Sequence, residues 1–83
     1  MSPVKKSIFT NQQKHLQEIL RRLRIDAGLR QADLAKRLGQ PQSFVSKYES
    51  GERRLDLVEL RRICIAVGIS LNDLIGKFES RLK

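Results

Sequence analysis

The stretch QADLAKRLGQPQSFVSKYES, residues 31–50, most constrains what this chain folds into. Both halves repeat apolar residues at spacings of three and four, which predicts two short amphipathic helices. Gly39 lies between the halves and favours a tight turn, while Ala35 is small enough for the two helices to cross closely. The stretch therefore predicts a pair of helices joined by a turn.

The outward face of the second helix in this pair has a distinctive composition. It carries only short hydrogen-bonding side chains and one cation: Gln42, Ser43, Ser46, Lys47 and Ser50. A helix face that meets only water usually includes Asp or Glu, whose carboxylates repel phosphates. The absence of carboxylates fits a surface that contacts a polyanion, and a plain solvated face is the alternative.

The overall charge points the same way. The chain has 17 Lys and Arg against 9 Asp and Glu, a net charge of +8 and a pI of about 10.4. A strongly basic small domain is attracted to polyanions, with nucleic acid ahead of an acidic membrane surface.

Helical patterning extends over almost the whole chain and predicts an all-α fold. Capping boxes at Thr10–Gln13 and Asp56–Glu59 and a cap at Ser70 mark three helix starts, and Pro41 suits the first position of the third helix. The core stripes include Leu57 and Ile75. We predict a flexible tail over residues 1–9 and one domain over 10–83, with helices at 11–27, 30–38, 41–50, 56–67 and 70–82.

Several classes of function are disfavoured by what the sequence lacks. One histidine and one cysteine, Cys64, supply too few ligands for a zinc site, and Cys64 falls on a core-facing stripe. No nucleophile–base set, phosphate loop or small-molecule site is visible, so we expect no enzyme, no metal and no cofactor. Without a signal-peptide core or an apolar run of about 18 residues, we expect a cytoplasmic chain that does not enter a membrane.

The segments LRQADLAKRLG, SFVSKYESGERRL and LRRICIAVGISLNDLI carry a family resemblance. They resemble the phage-repressor-like helix-turn-helix domain, the Cro/CI-type or xenobiotic-response-element (XRE) family, from about Leu16 to Ile75. The resemblance implies a compact five-helix, lambda-repressor-like fold with its helix-turn-helix at 31–50. It also implies double-stranded DNA as the partner, because the second motif helix of such domains lies in the major groove.

The resemblance assigns roles by position. It implies base-reading by Gln42, Ser43, Ser46 and Lys47, and phosphate binding by Gln31, Ser50, Arg53 and Arg54. It also implies an ion pair between Arg24 and Glu49 that orients the recognition helix. Arg30, Lys36 and Arg37 add to the positive field either as phosphate contacts or as solvated charges.

Family members usually bind two half-sites as a dimer. Phe78 and Leu82 come late for the monomer core, so we expect them to form a dimer contact, with a frayed helix end as the alternative. The expected function is a sequence-specific transcriptional regulator, a repressor on a palindromic operator. The alternative is an antitoxin-like or restriction-controller-like protein whose main role is to bind a partner protein.

Overall fold

The computed structural model describes the backbone of residues 3–83 and the side chains from residue 11 onward. This part of the chain forms five helices and no strand, which confirms the all-α prediction. The helices are α1 (Pro3–Asp26), α2 (Gln31–Leu38), α3 (Gln42–Ser50), α4 (Leu57–Val67) and α5 (Leu71–Arg81).

The start of α1 differs from the prediction. The helix begins at Pro3 rather than at Thr10 or Asn11, so the tail predicted for residues 1–9 is helical from residue 3, and residues 1 and 2 lie outside the described part. No Gly or Pro interrupts the sequence between residues 4 and 26, and proline is tolerated in the first turn of a helix. The Thr10 capping box therefore does not begin the helix.

The other helix ends agree with the prediction to within about one residue. Asp56 and Ser70 cap α4 and α5: the Asp56 carboxylate accepts from the Glu59 amide at 2.8 Å, and the Ser70 hydroxyl accepts from the Asp73 amide at 3.0 Å. Pro41 is the residue before α3 rather than its first member, because its ψ of 155° is extended. Gly39 ends α2 in the left-handed conformation with a φ of 67°, as a tight turn requires.

The core lies where α1, α2 and α3 meet α4 and α5. Leu34, Val45 and Cys64 are fully buried, and the burial of Cys64 confirms its reading as a small hydrophobe. The complete buried set is Ile19, Leu20, Leu34, Ala35, Leu38, Val45, Tyr48, Ile63, Cys64 and Leu74.

Two residues expected in the core are not there. Leu57 is 62% exposed and Ile75 is 46% exposed. Ile75 directly follows the buried Leu74, and one residue turns the side-chain direction by about 100° around a helix. Leu57 shares the side of α4 that carries Leu60 and Cys64, but it is the first residue of the helix and lies at its exposed end. Both residues therefore belong to the exposed surface of α4 and α5 and not to the core.

Two negative findings apply to the part of the chain that the structure describes. No helix there combines the length and the apolar character needed to cross a bilayer. No three His, Cys, Asp or Glu side chains among these residues are grouped so that they could hold a metal ion.

Candidate nucleic-acid interface

Helix α3 is anchored by one face and presents the other to solvent. Val45 and Tyr48 are buried, and the rings of Phe44 and Tyr48 meet edge to face with centroids 5.5 Å apart. This anchoring leaves four predicted base-reading side chains on the outer face. Gln42, Ser43 and Lys47 are exposed there, and Ser46 is half-buried.

The end of α3 is fixed by a glycine and by helix α1. Gly51 closes α3 with a φ of 90°, in the left-handed region that side-chain-bearing residues rarely adopt. A Cβ at this position would also collide with the amide of Gln17. Helix α1 therefore packs against the turn that follows α3. The positive φ favours glycine at this position, whereas the Gln17 amide is the end of a flexible side chain that can move aside.

A chain of polar contacts links α1, α2 and α3. Arg24 donates from Nε to Glu49 Oε2 at 2.7 Å and from Nη2 to Oε1 at 3.0 Å. The Gln31 amide donates to Glu49 Oε1 at 3.0 Å, and the Gln42 amide donates to Gln31 Oε1 at a longer 3.4 Å. The chain runs from the interior to a predicted base-reading side chain at the start of α3.

The Arg24–Glu49 pair is nearly removed from water. Its side chains are 10% and 4% exposed, and Arg24 also donates to the Leu29 carbonyl at 2.9 Å. The hydrogen bond that Arg24 donates to Glu49 raises the pKa of Arg24 and outweighs the opposing effect of burial. The two side chains that the sequence analysis paired are thus in direct contact, with the guanidinium and the carboxylate both satisfied.

The loop after α3 contains a second ion pair. Arg53 Nη2 lies 2.8 Å from Glu59 Oε2, and its guanidinium carbon lies 4.8 Å from the centre of the Phe44 ring. The hydrogen bond with Glu59 raises the pKa of Arg53, and the same contact lowers the pKa of Glu59. Arg53, predicted to bind phosphate, is therefore already engaged within the protein.

The remaining predicted phosphate-binding residues differ in their availability. Arg54 is exposed, and its side chain makes no ion pair or hydrogen bond with any described residue. Ser50 lies within 3.1 Å of both the Lys47 carbonyl and the Glu52 carboxylate. Gln31 begins α2, where free backbone amides favour an anion, although its side chain bridges Glu49 and Gln42.

Two of the three additional cations on α2 and its cap also have partners within the chain. Arg30 forms a two-point contact with Asp33, with Nη2 2.9 Å from Oδ1. Arg37 donates to the Ala66 carbonyl at 2.8 Å and so ties α2 to α4. Lys36 is exposed and has no ion pair or side-chain hydrogen bond among the described residues. Of these three, Lys36 is the cation that contributes to the field without an internal partner.

The residues predicted to form a dimer contact lie at the end of α5. Phe78 is half-buried and packs against the core of its own chain, while Leu82 is half-buried just after the helix. The large exposed aliphatic residues lie elsewhere, mainly on α4: Leu57, Val58 and Ile65 are each more than half exposed. Among the described residues, the surface of α4 is thus the more open apolar surface, and the end of α5 is half-buried.

The structure adds two site features that the sequence analysis did not assign. Glu59 was identified only as part of a helix cap, yet its carboxylate also pairs with Arg53. Gln31 was assigned to phosphate alone, yet it joins Glu49 to Gln42. The spacing of six residues between Arg53 and Glu59 crosses a loop and a cap, so no helical periodicity signals that contact.

Comparison with known proteins identifies relatives with the same architecture. A helix-turn-helix family profile matches residues 20–74. An XRE-family like protein from Pseudomonas syringae pv. tomato str. DC3000 is 40% identical, with a TM-score of 0.90 over 99% of this chain and 100% of that one.

More distant structures share the fold. Two structures of the clp gene regulator ClgR from Corynebacterium glutamicum are each 24% identical to this chain. Their TM-scores are 0.75 and 0.76, over 87% and 86% of this chain and 92% and 76% of theirs. No curated protein sequence matches the chain significantly.

Proposed function

Because this chain belongs to the XRE-type helix-turn-helix family of DNA-binding transcriptional regulators, we propose that it binds a specific duplex operator and represses transcription by occupying a promoter. The observation that carries the proposal is the outer face of α3. That face is exposed and free of carboxylates, and the helix beneath it is held by a nearly buried ion pair.

The side chains on that face have the chemistry for reading base edges. The amide of Gln42 pairs with N6 and N7 of adenine, and the ammonium of Lys47 donates to O6 and N7 of guanine. Ser43 and Ser46 offer short hydroxyls that suit several bases at close approach. Gln42 enters the groove partly oriented, because Gln31 already contacts its amide. This arrangement supports discrimination by α3.

In the proposed complex, contacts with the DNA phosphate backbone flank the base-reading helix α3. The start of α2 at Gln31 directs helix N-terminal amides toward one phosphate, and Ser50 and Arg54 meet the backbone on the other side. Arg53 joins them only when it leaves Glu59. These contacts set position and affinity, whereas the α3 side chains set sequence preference.

The proposed function requires a dimer. One recognition helix contacts only a few base pairs, which gives too little discrimination against the competing sites of a genome. Two copies related by a two-fold axis would read half-sites about one helical turn, roughly 34–36 Å, apart. We propose Phe78 and Leu82 at the end of α5 as the contact, with Leu82 the more available of the two.

The experiment that tests this function is selection of bound duplexes from a random pool at near-physiological salt, followed by sequencing. A two-fold-symmetric motif is the expected result, and its half-site spacing reports the dimer. A pool without enrichment contradicts specific binding. The repressor role is then tested with the selected operator placed over a promoter, where added protein should lower transcription.

Matched variants connect the selected motif to α3. Gln42→Ala with Lys47→Ala should abolish the enrichment, because both amide and ammonium contacts are lost. Lys77→Ala removes one positive charge from α5, outside the proposed face, and should select the wild-type motif. Equal loss of the motif in both proteins would show that overall charge, and not the α3 face, controls binding.

A protein-binding role is the second candidate, and the exposed aliphatic residues of α4 favour it. Leu57, Val58 and Ile65 are 62%, 69% and 59% exposed, an arrangement that suits apolar contact with another protein. Such binding depends weakly on salt, whereas DNA binding weakens steeply as salt rises. A partner affinity that survives high salt, in a protein without DNA preference, would support an antitoxin-like or controller-like role instead.

A further inference from the structure

The guanidinium of Arg53 has most of its contact capacity already in use. Nη2 and Nη1 donate to the two oxygens of Glu59 at 2.8 and 3.2 Å, and Nη1 also lies 3.1 Å from the Arg54 carbonyl. One face of the group covers the Phe44 ring. A carboxylate therefore occupies the Nη1–Nη2 edge, one of the two edges with which a guanidinium can grip a phosphate.

We propose that Glu59 is an intramolecular competitor of DNA for Arg53 and sets the affinity of the protein for duplex DNA. The inference rests on the proposed DNA-binding function and adds to it a residue outside the binding surface. Glu59 acts on binding through Arg53, so it is a positioning residue rather than a DNA contact.

The competition follows from the geometry of the two complexes. A carboxylate and a phosphate both use parallel N–H donors of a guanidinium, so one edge of Arg53 cannot serve both at once. The pair is partly open to water, with side chains 41% and 26% exposed. An ion pair at such a position is only weakly stabilising, so a phosphate can displace the carboxylate.

Glu59 is also held by contacts that do not involve Arg53. Glu59 Oε1 accepts from the Asp56 amide at 2.9 Å, and the Glu59 amide donates to Asp56 Oδ1 at 2.8 Å. This capping box fixes the carboxylate above the start of α4. The contacts with Arg53 and Asp56 lower the pKa of Glu59, so the competitor is charged at neutral pH. Its negative charge thus opposes the transfer of Arg53 to a phosphate.

The substitution Glu59→Gln isolates the competition, because glutamine also serves at this capping position and keeps the helix start. We expect Glu59→Gln to bind a labelled duplex about 2- to 5-fold more tightly than wild type near 150 mM salt. The plot of log affinity against log salt should steepen by about one phosphate contact. A purely structural role for Glu59 would not produce that steeper dependence.

Two controls make the assignment specific. Glu79→Gln removes the same charge from the exposed surface of α5 and should leave the salt dependence unchanged. Arg53→Ala combined with Glu59→Gln should bind like Arg53→Ala alone, because the gain requires the freed guanidinium. Thermal unfolding of each variant shows whether the fold is retained.

The inference is overturned if Glu59→Gln binds no more tightly than wild type, or if the gain persists in the Arg53→Ala background. Failure of the proposed function looks different: wild type would show no preference for a selected sequence over a random duplex. The same variants measured on that random duplex still test the competition, because a phosphate contact does not depend on sequence.

Discussion

The Arg24 guanidinium and the Glu49 carboxylate join α1 to the recognition helix across 25 positions of sequence, in a contact of 2.7 Å. Both side chains are almost excluded from water, and Gln31 shares the same carboxylate. The position of α3 relative to α1 therefore depends on a charge pair as well as on Val45 and Tyr48.

Removal of one member of this pair should destabilise the fold strongly. We expect Glu49→Ala to lower the free energy of unfolding by about 3 kcal/mol, because the nearly buried charge of Arg24 loses its carboxylate and keeps only the Leu29 carbonyl as a partner. Urea unfolding of wild type and variant measures the difference. Glu79→Ala, on the exposed surface, should change stability by less than about 0.5 kcal/mol. A loss below about 1 kcal/mol for Glu49→Ala would show that the pair behaves like a solvated one.

Replacement of the buried Tyr48 by phenylalanine should raise the free energy of unfolding instead of lowering it. The Tyr48 hydroxyl is buried and has no hydrogen-bond partner among the described residues, and burial raises its pKa. We expect Tyr48→Phe to raise the free energy of unfolding by about 1 kcal/mol, because an unsatisfied polar group leaves the core. Thermal and urea unfolding check the sign. A clear loss of stability would mean that the hydroxyl is satisfied, for example by a buried water molecule.

Alanine substitution of Lys47 and of Arg54 should weaken DNA binding in different ways. Lys47→Ala should cost about 1–3 kcal/mol at one base pair and relax the preference there, because a base contact is lost. Arg54→Ala should weaken all duplexes alike and flatten the salt slope by about one, because a phosphate contact is lost. Titrations of the selected operator and its single-base variants separate the effects. Identical behaviour of the two variants would contradict the proposed docking.

The dimer contact is testable by placing a charge on each apolar surface. We expect Leu82→Lys to shift the protein toward monomer in sedimentation, because the end of α5 would then carry a charge into the contact. Ile65→Lys, on the outer face of α4, is the matched substitution and should leave the dimer intact. If only Ile65→Lys dissociates the dimer, the contact lies on α4 instead. If the wild-type protein is monomeric both free and bound to DNA, the dimer proposal is wrong.

Acid should remove the contribution of Asp33 over a defined range of pH. Hydrogen bonds from the side chain and backbone of Arg30 lower the pKa of Asp33 from 3.8 to about 2. Since the folded-state pKa lies below the unfolded one, the stabilising effect is complete above the unfolded value and disappears as pH falls through the folded one. The melting-temperature difference between wild type and Asp33→Asn should be constant above about pH 5, shrink as pH falls toward about 2, and be lost only below that pH. A difference that does not change down to that pH would contradict the assignment.

The sequence predicted the helices well where local signals were strong. Gly39 and the caps at Asp56 and Ser70 act within a few residues, so their effect does not depend on the rest of the fold. The predicted start of α1 was wrong. The capping box at Thr10 signals a helix start, but the sequence has no helix breaker back to residue 4, so the helix continues toward the N-terminus. A cap alone does not stop a helix that is able to continue.

The exposed positions of α3 were predictable from the sequence, but the pairings of the candidate site residues were not. The outward direction of Gln42 and Lys47 follows from the buried positions of Val45 and Tyr48 on the same helix. The contact between Arg53 and Glu59 depends instead on the path of a loop, and the packing of Phe78 on its own core depends on how α5 crosses α1. Neither relation follows from the spacing of residues in one helix.

The polar chain from Arg24 to Gln42 also divides α3 into positions with different freedom to vary. Gln42 donates to Gln31 at 3.4 Å, so a change there removes the outermost contact of this chain. The contacts of Glu49 with Arg24 and Gln31 remain. Ser43 and Lys47 make no side-chain hydrogen bond or ion pair with the described residues. In the proposed docking, substitution at these two positions would therefore change the operator preference while the scaffold stays intact, which makes them the starting points for redesign of the sequence preference.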